Sequence, residues 1–223
     1  MDQINDATKA KLAKLPLYAY REIYIIRHGA TAYNQESGGG VDRIRGWKNV
    51  PLSDKGREQI KQLAKDLKDS GIDYIVSSDL DRARETGEAI KATTGADLIL
   101  TRKFRPWDLG EYTGQESMAV HPVMAKFAYE QPFRPVPGGE SFDSFKARVF
   151  SGLREFCGQY RDKTLAIVSH HRVERMINAW IARGSPPEEA IDMNVMFKKG
   201  EQTAHAAKVR FDLERLYGMV GSK

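Results

Sequence analysis

The chain has 223 residues, 41% of them hydrophobic and 29% charged, a length for one large domain and a balance that excludes a disordered chain or a multi-span membrane protein. A net charge of +5 leaves two classes of anionic partner, nucleic acid or a small molecule. Lys and Arg alternate with Glu and Asp in stretches such as "DKGREQIKQLAKDLKD", and no zinc-ligand spacing, RNA-recognition signature or basic stripe with interleaved aromatics occurs, so a small anion is expected and nucleic acid is not.

In chain order, residues 1–21 read as an N-terminal extension ahead of one domain at 22–223. The opening "MDQINDATKAKLAKLPLYAY" has no apolar segment ahead of a small-residue cleavage site, and no stretch is apolar for long enough to span a bilayer. A cytoplasmic protein with no membrane partner is therefore expected. The run at 22–27 predicts a buried strand, and "SGGG" at 37–40 a surface loop. Ser53 then caps a helix with Ile60, Leu63, Ala64 and Leu67 on one face, and Gly71 stops it. "YIVSS" at 74–78 is a second strand, feeding a helix from about Leu80 to Thr94 that ends at Gly95. "DLIL" at 97–100 is a third.

Residues 101–140, with their prolines, glycines and aromatics, read as an excursion containing a short helix near 117–130. Ser141 caps the next helix, whose stripe of Phe142, Phe145, Val149, Leu153 and Phe156 is core, with Cys157 as core filler on the same helix. "TLAIVSHH" at 164–171 is a strongly β-branched strand followed by a helix presenting Val173, Met176, Ile177, Trp180 and Ile181, and "AAKVRFD" at 206–212 is a last strand. Strands alternating with helices predict an α/β three-layer sandwich, a mostly parallel sheet flanked by helices, with ligands bound where strands end.

Three strand ends carry reactive side chains: Arg27 and His28 after "YII", Arg82 after "IVSSDL", and His170 after "AIVS". A parallel sheet brings these ends to one edge. Arg27 and Arg82 offer guanidinium forks suited to phosphate oxygens. A neutral His28 would face a phosphorus whose charge is held down by the arginines and by a protonated His170, so nucleophilic attack needs no metal. Ser169 lies in no nucleophile elbow, which disfavours Ser-His-Asp hydrolysis. Arg84, Glu85 and Arg148 read as structural or surface ion pairs, and His121 and His205 have no motif support.

The blocks "RHGATAYN", "LSDKG", "SSDLDRARET", "PGGES" and "VSH" resemble, in order and spacing, the histidine phosphatase superfamily, in the branch that includes cofactor-dependent phosphoglycerate mutase. The resemblance covers roughly residues 22 to 212. It implies a phosphoglycerate mutase-like fold with His28 as the phosphorylated nucleophile. It also implies that Arg27, Arg82 and His170 cradle the phosphate and that Asn34 adds a polar contact. No cofactor or metal is expected.

The pattern breaks at the general acid. Members of that family place a glutamate four residues before a glycine in the segment after the third strand, whereas "FRPWDLGEYTG" puts Pro106 there, counting back from Gly110. Asp108 is the first candidate to replace it and Glu111 the second. His171 stands where the family commonly has glycine, and would narrow the pocket or join in acid–base work. Mutases of the group grip a carboxylate with a longer basic excursion, while residues 114–137 carry only Lys126 and Arg134 as permanent cations. Water should then reach the intermediate, and Arg45, Trp47, Trp107 and Tyr112 are candidates to line the substrate pocket. The expected function is a metal-independent phosphomonoesterase acting on a small phosphorylated metabolite. The alternatives are a phospho-ligand-binding protein that has lost catalysis, or a mutase-type phosphotransferase.

Overall fold

The computed structural model describes residues 21–34, 41–184, 189–198 and 206–211. The first twenty residues, "SGGG" at 37–40, His205 and Asp212 lie outside the described residues. Four parallel strands form the sheet's body: β1 (Arg21–Arg27), β2 (Tyr74–Ser78), β3 (Asp97–Thr101) and β4 (Leu165–Ser169). A fifth, β5 (Ala206–Phe211), pairs antiparallel with β1, giving the order β3-β2-β4-β1-β5.

Helices cover both faces, because the strand side chains alternate with a period of two. Ile25, Val76, Leu165 and Ile167 point into one cluster, shared with α4 (Phe142–Gln159) and α5 (His171–Ala182) through Phe145, Leu153 and Trp180. Ile26, Ile75, Ala166 and Val168 point into the other, shared with α1 (Asp54–Asp66) and α2 (Asp81–Thr94) through Ala83 and Ile90. Both faces are therefore buried, as the uninterrupted apolar strands require. On α5, Val173, Met176, Ile177 and Trp180 are each fully buried, and burying side chains of this size is worth about 2 kcal/mol apiece.

The caps follow local chemistry. The Ser53 hydroxyl accepts the Gly56 N–H and the Ser141 hydroxyl accepts the Ser144 N–H, each satisfying a donor of the first turn. Gly95 closes α2 in the left-handed region at φ +75. Gly71 does not stop α1: the helix ends at Asp66 with Leu67 as its cap, and Gly71 sits at φ +70 in the turn beyond. α3 (Ser117–Glu130) lies in the excursion as expected, and a short α6 (Met193–Phe197) packs on α5. Among the described residues no helix is long and apolar enough to cross a membrane.

Candidate active site

The reactive edge is set by strand register. Arg27 at the end of β1 pairs with Ser169 at the end of β4, so the next residues, His28 and His170, leave the sheet side by side. The His28 N–H donates to the Ser169 carbonyl at 3.1 Å. β2 ends at Ser78, which carries the chain into the first turn of α2, where Arg82 lies. Gly29 is required after His28, since a side chain there would meet the Gly56 carbonyl at 2.6 Å, where α1 packs over the loop.

These elements enclose a cavity of about 390 Å³ whose wall includes Arg27, His28, Asn34, Arg82 and His170. All five were named from the sequence, and the fold brings them to one wall. The His28 ring lies 5.1 Å from that of His170, edge to face, and both are almost fully buried. His28 Nδ1 lies 2.7 Å from the Gly29 carbonyl, an oxygen that can only accept, so Nδ1 carries the proton and Nε2 keeps its lone pair. Burial first, then the charges of Arg82, Arg45 and Arg27, hold the His28 pKa well below 6.5.

His170 departs from expectation. Burial, Arg82 and His28 push its pKa well below 6.5, so it is neutral rather than protonated before an anion arrives. One ring nitrogen, Nε2, meets the Ser78 hydroxyl at 2.8 Å, while Nδ1 is buried with no partner among the described residues. Among the described residues two further buried nitrogens of this wall have no partner, Arg45 Nη2 and Arg82 Nε. Arg82 commits part of its fork to the protein, donating to the carbonyls of Lys48 and Gly46 at 2.9 and 3.0 Å. Desolvation lowers it to about 9 and Arg45 to about 10, so both stay charged at neutral pH. Three unsatisfied donors or acceptors on one cavity wall suit an anion with several oxygens.

Asp108 is a correction: it does not line the cavity. Its Oδ1 accepts the Gly110 N–H at 3.2 Å, tying the carboxylate to a turn in which Gly110 takes φ +48. The Asp108 N–H donates to Glu140 Oε1 at 2.9 Å, and Glu140 in turn pairs with Arg148 at 2.5 Å. Arg148 also donates to the carbonyls of Lys103 and Arg105 at 2.9 Å each and Pro106 at 3.1 Å. The "PGGES" glutamate is thus a fastening for the excursion, and Arg148 is structural as expected. Glu111 is exposed and outside the lining too, and Pro106 itself lies in the wall. The one carboxylate among the described lining residues is Asp42, whose Oδ1 lies 3.4 Å from Asn34 Nδ2.

Of the residues expected to line the pocket, Arg45 and Trp107 do so, while Trp47 and Tyr112 do not. The Trp47 ring is instead flanked by the guanidiniums of Arg102, Arg105 and Arg148. His171 lines the cavity, and burial with Arg27 and Arg172 brings its pKa down to about 3. It is neutral at working pH and is no acid. Arg43, His121, Arg172, Arg175 and Lys198 also line the cavity and were not anticipated. The excursion is indeed poor in cations, but α5 and the residue after α6 supply them instead. Arg172 and Arg175, three apart at the start of the helix that follows His170, were legible as one helical face; His121 and Lys198 arrive only through tertiary packing. Among the described residues no group of three His, Cys, Asp or Glu is placed to hold a metal ion.

Comparison with known proteins agrees with this geometry. A family model described as the histidine phosphatase superfamily (branch 1) matches residues 23–213. Phosphoglycerate mutase-like protein 4 of Arabidopsis thaliana is 34% identical over 165 residues, 71% of this chain and 70% of the relative. A probable phosphoglycerate mutase GpmB of Cronobacter sakazakii is 39% identical over 136 residues, 59% of this chain and 61% of its own length. Among solved structures, a mycobacterial glucosyl-3-phosphoglycerate phosphatase superimposes with a TM-score of 0.68 at 22% identity, covering 88% of this chain and 94% of that one, a likeness of fold.

Proposed function

The chain belongs to the histidine phosphatase superfamily (branch 1), and on that premise we propose that it is a phosphomonoesterase, needing no metal, that hydrolyses a small phosphorylated metabolite through a phosphohistidine at His28. The observation that carries the reading is the His28 tautomer. Its Nδ1–H is engaged by the Gly29 carbonyl, which leaves Nε2 as a lone-pair donor among Arg27, Arg45 and Arg82. In the first step Nε2 forms a bond to phosphorus as the ester P–O bond breaks in line, and the leaving oxygen takes a proton. In the second, water attacks the phosphohistidine, Nε2 leaves with its lone pair, and inorganic phosphate is released. Asp42 is the carboxylate on the wall that suits the proton transfers. The charge that builds on the phosphoryl oxygens falls to Arg45, Arg82 and His170.

A second reading has its own observation. Pro106 stands at the acid position, and neither Asp108 nor Glu111 lines the cavity, which favours a phospho-ligand-binding protein with little turnover. Hydrolysis of phenyl phosphate and butyl phosphate, with EDTA present, separates the two. Turnover that vanishes in His28→Ala supports the phosphatase; phosphate binding without turnover in wild type sinks it.

A further inference from the structure

Serines are buried where two of the parallel strands end, Ser77 and Ser78 on β2 and Ser169 on β4. Ser77 and Ser169 give their hydroxyl protons to main-chain carbonyls, Ser77 to that of Ser78 at 2.9 Å and Ser169 to that of Phe104 at 2.8 Å. Ser78 does not. Its Oγ accepts the Leu80 N–H at 3.5 Å, and its other hydrogen-bond contact among the described residues is His170 Nε2, at 2.8 Å. Strand register brings that pair together, since Ser77 pairs with Val168 in the sheet, Ser78 comes one residue past that pair and His170 two.

The proton count decides which partner donates. A hydroxyl and a neutral imidazole nitrogen can share a hydrogen bond in either direction. If Nε2 carried the ring's proton, the Ser78 hydroxyl would have no acceptor among the described residues, and Nδ1, buried and without a partner there, would be a bare lone pair. Two buried polar groups would then go unpaired, each a cost to the fold. If Ser78 donates to Nε2, both of those atoms are satisfied and the proton of the neutral ring sits on Nδ1. One group is left unpaired, and it is an N–H.

That N–H joins Arg45 Nη2 and Arg82 Nε, the other buried nitrogens of this wall with no partner among the described residues. All three are then donors, so they suit the oxygens of one anion without a repelling lone pair among them. The wall includes His170 but not Ser78. Ser78 therefore acts on an anion through the ring, from behind it.

We propose that Ser78 is a positioning residue: by donating to Nε2 it fixes the neutral His170 ring as an Nδ1–H donor to the bound phosphoryl group, before any proton is taken up. This rests on the phosphomonoesterase reading for the identity of the anion, but not for the tautomer of the ring.

The test is nitrogen NMR of the full chain carrying nitrogen-15 histidine, at pH 7.5, which reports the nitrogen that bears the proton in each neutral ring; His170→Gln assigns the signal. In wild type His170 should be the Nδ1–H form, and its Nδ1 resonance should move when inorganic phosphate is added. Ser78→Ala should shift the ring to the Nε2–H form or a mixture and weaken calorimetric phosphate binding by about tenfold. Ser78→Thr, which keeps the hydroxyl, should retain both properties. An Nε2–H ring in free wild type overturns the proposal without any variant. So does an unchanged Nδ1–H ring in a Ser78→Ala protein whose thermal melt confirms folding, or a phosphate affinity equal to that of wild type. Failure of the phosphatase reading looks different: no ester is turned over, yet the Nδ1–H ring is present and phosphate binds, and the proposal stands. His28-dependent turnover by a wild type with an Nε2–H ring sustains the phosphatase and ends the role of Ser78.

Discussion

The imidazole of His28 stands edge-on to that of His170, ring centroids 5.1 Å apart and planes at 62°. Neither ring is cationic, for burial and the surrounding arginines depress both. Under the proposed function the pair would meet a phosphoester as one nucleophile, His28, and one ring able to take up a proton as the dianion arrives. Register between β1 and β4 places the two rings side by side.

Replacing His28 with Ala should lower turnover by roughly 10⁴-fold or more, since its Nε2 is the proposed nucleophile. Acid-labile, alkali-stable labelling from a radioactive phosphoester should appear in wild type and vanish in the variant. A label that persists in His28→Ala would place the nucleophile elsewhere.

Acid should destabilise the protein in a defined window. His28, His170 and His171 all have folded pKa values below the ordinary 6.5. Below that pH the unfolded chain binds protons that the folded chain refuses, so stability is full above about pH 6.5 and falls as pH drops towards the folded values. Three such groups give a slope of about 4 kcal/mol per pH unit, before any carboxylate contributes. Urea melts at pH 7.5 and pH 5.5 measure it, and His171→Asn should shallow the slope by roughly one third. Equal midpoints at the two pH values would mean the rings are protonated in the fold.

The two aspartates separate the acid's location. Asp42 lines the cavity and Asp108 is tied to the Gly110 N–H. Asp42→Asn should slow butyl phosphate by roughly 10²-fold and phenyl phosphate much less, because a good leaving group needs little protonation. Asp108→Asn should leave the ratio of the two rates as in wild type. A selective loss of alkyl turnover in the Asp108 variant, and none in the Asp42 variant, would reverse the assignment.

Sequence reading reached what strands and helices dictate locally. Each parallel strand, both serine caps and the convergence of Arg27, His28, Arg82 and His170 followed from apolar runs and from where those runs end. It failed where contacts are long-range. Counting back from Gly110 could show that Pro106 is no acid, but the aim of the Asp108 carboxylate depends on Glu140 and Arg148, 32 and 40 residues away. His170 was read as protonated because its burial and the nearby charges of Arg82 and Arg45 cannot be seen in "VSHH". Lys198 and His121 reach the cavity only after α6 and α3 have packed.

The excursion is fastened by a part-buried pair, Glu140 and Arg148, whose contribution can be measured. Arg148 meets Glu140 at 2.5 Å with 17% of each side chain exposed, while Lys103 meets Glu155 at the same distance with 33% and 47% exposed. The Glu140 pair is forked and less exposed, so it should matter more than the single Lys103 contact. Glu140→Ala leaves Arg148 without a counter-charge and frees the Asp108 N–H, at a cost of about 3–5 kcal/mol; Glu155→Ala should cost at most about 1 kcal/mol. Because Pro106 and Trp107 lie in the cavity wall, the Glu140 variant should also raise KM, and the Glu155 variant should not. Chemical denaturation with parallel kinetics checks both, and similar small losses from the two variants would show that the Glu140–Arg148 pair does not hold the wall in place.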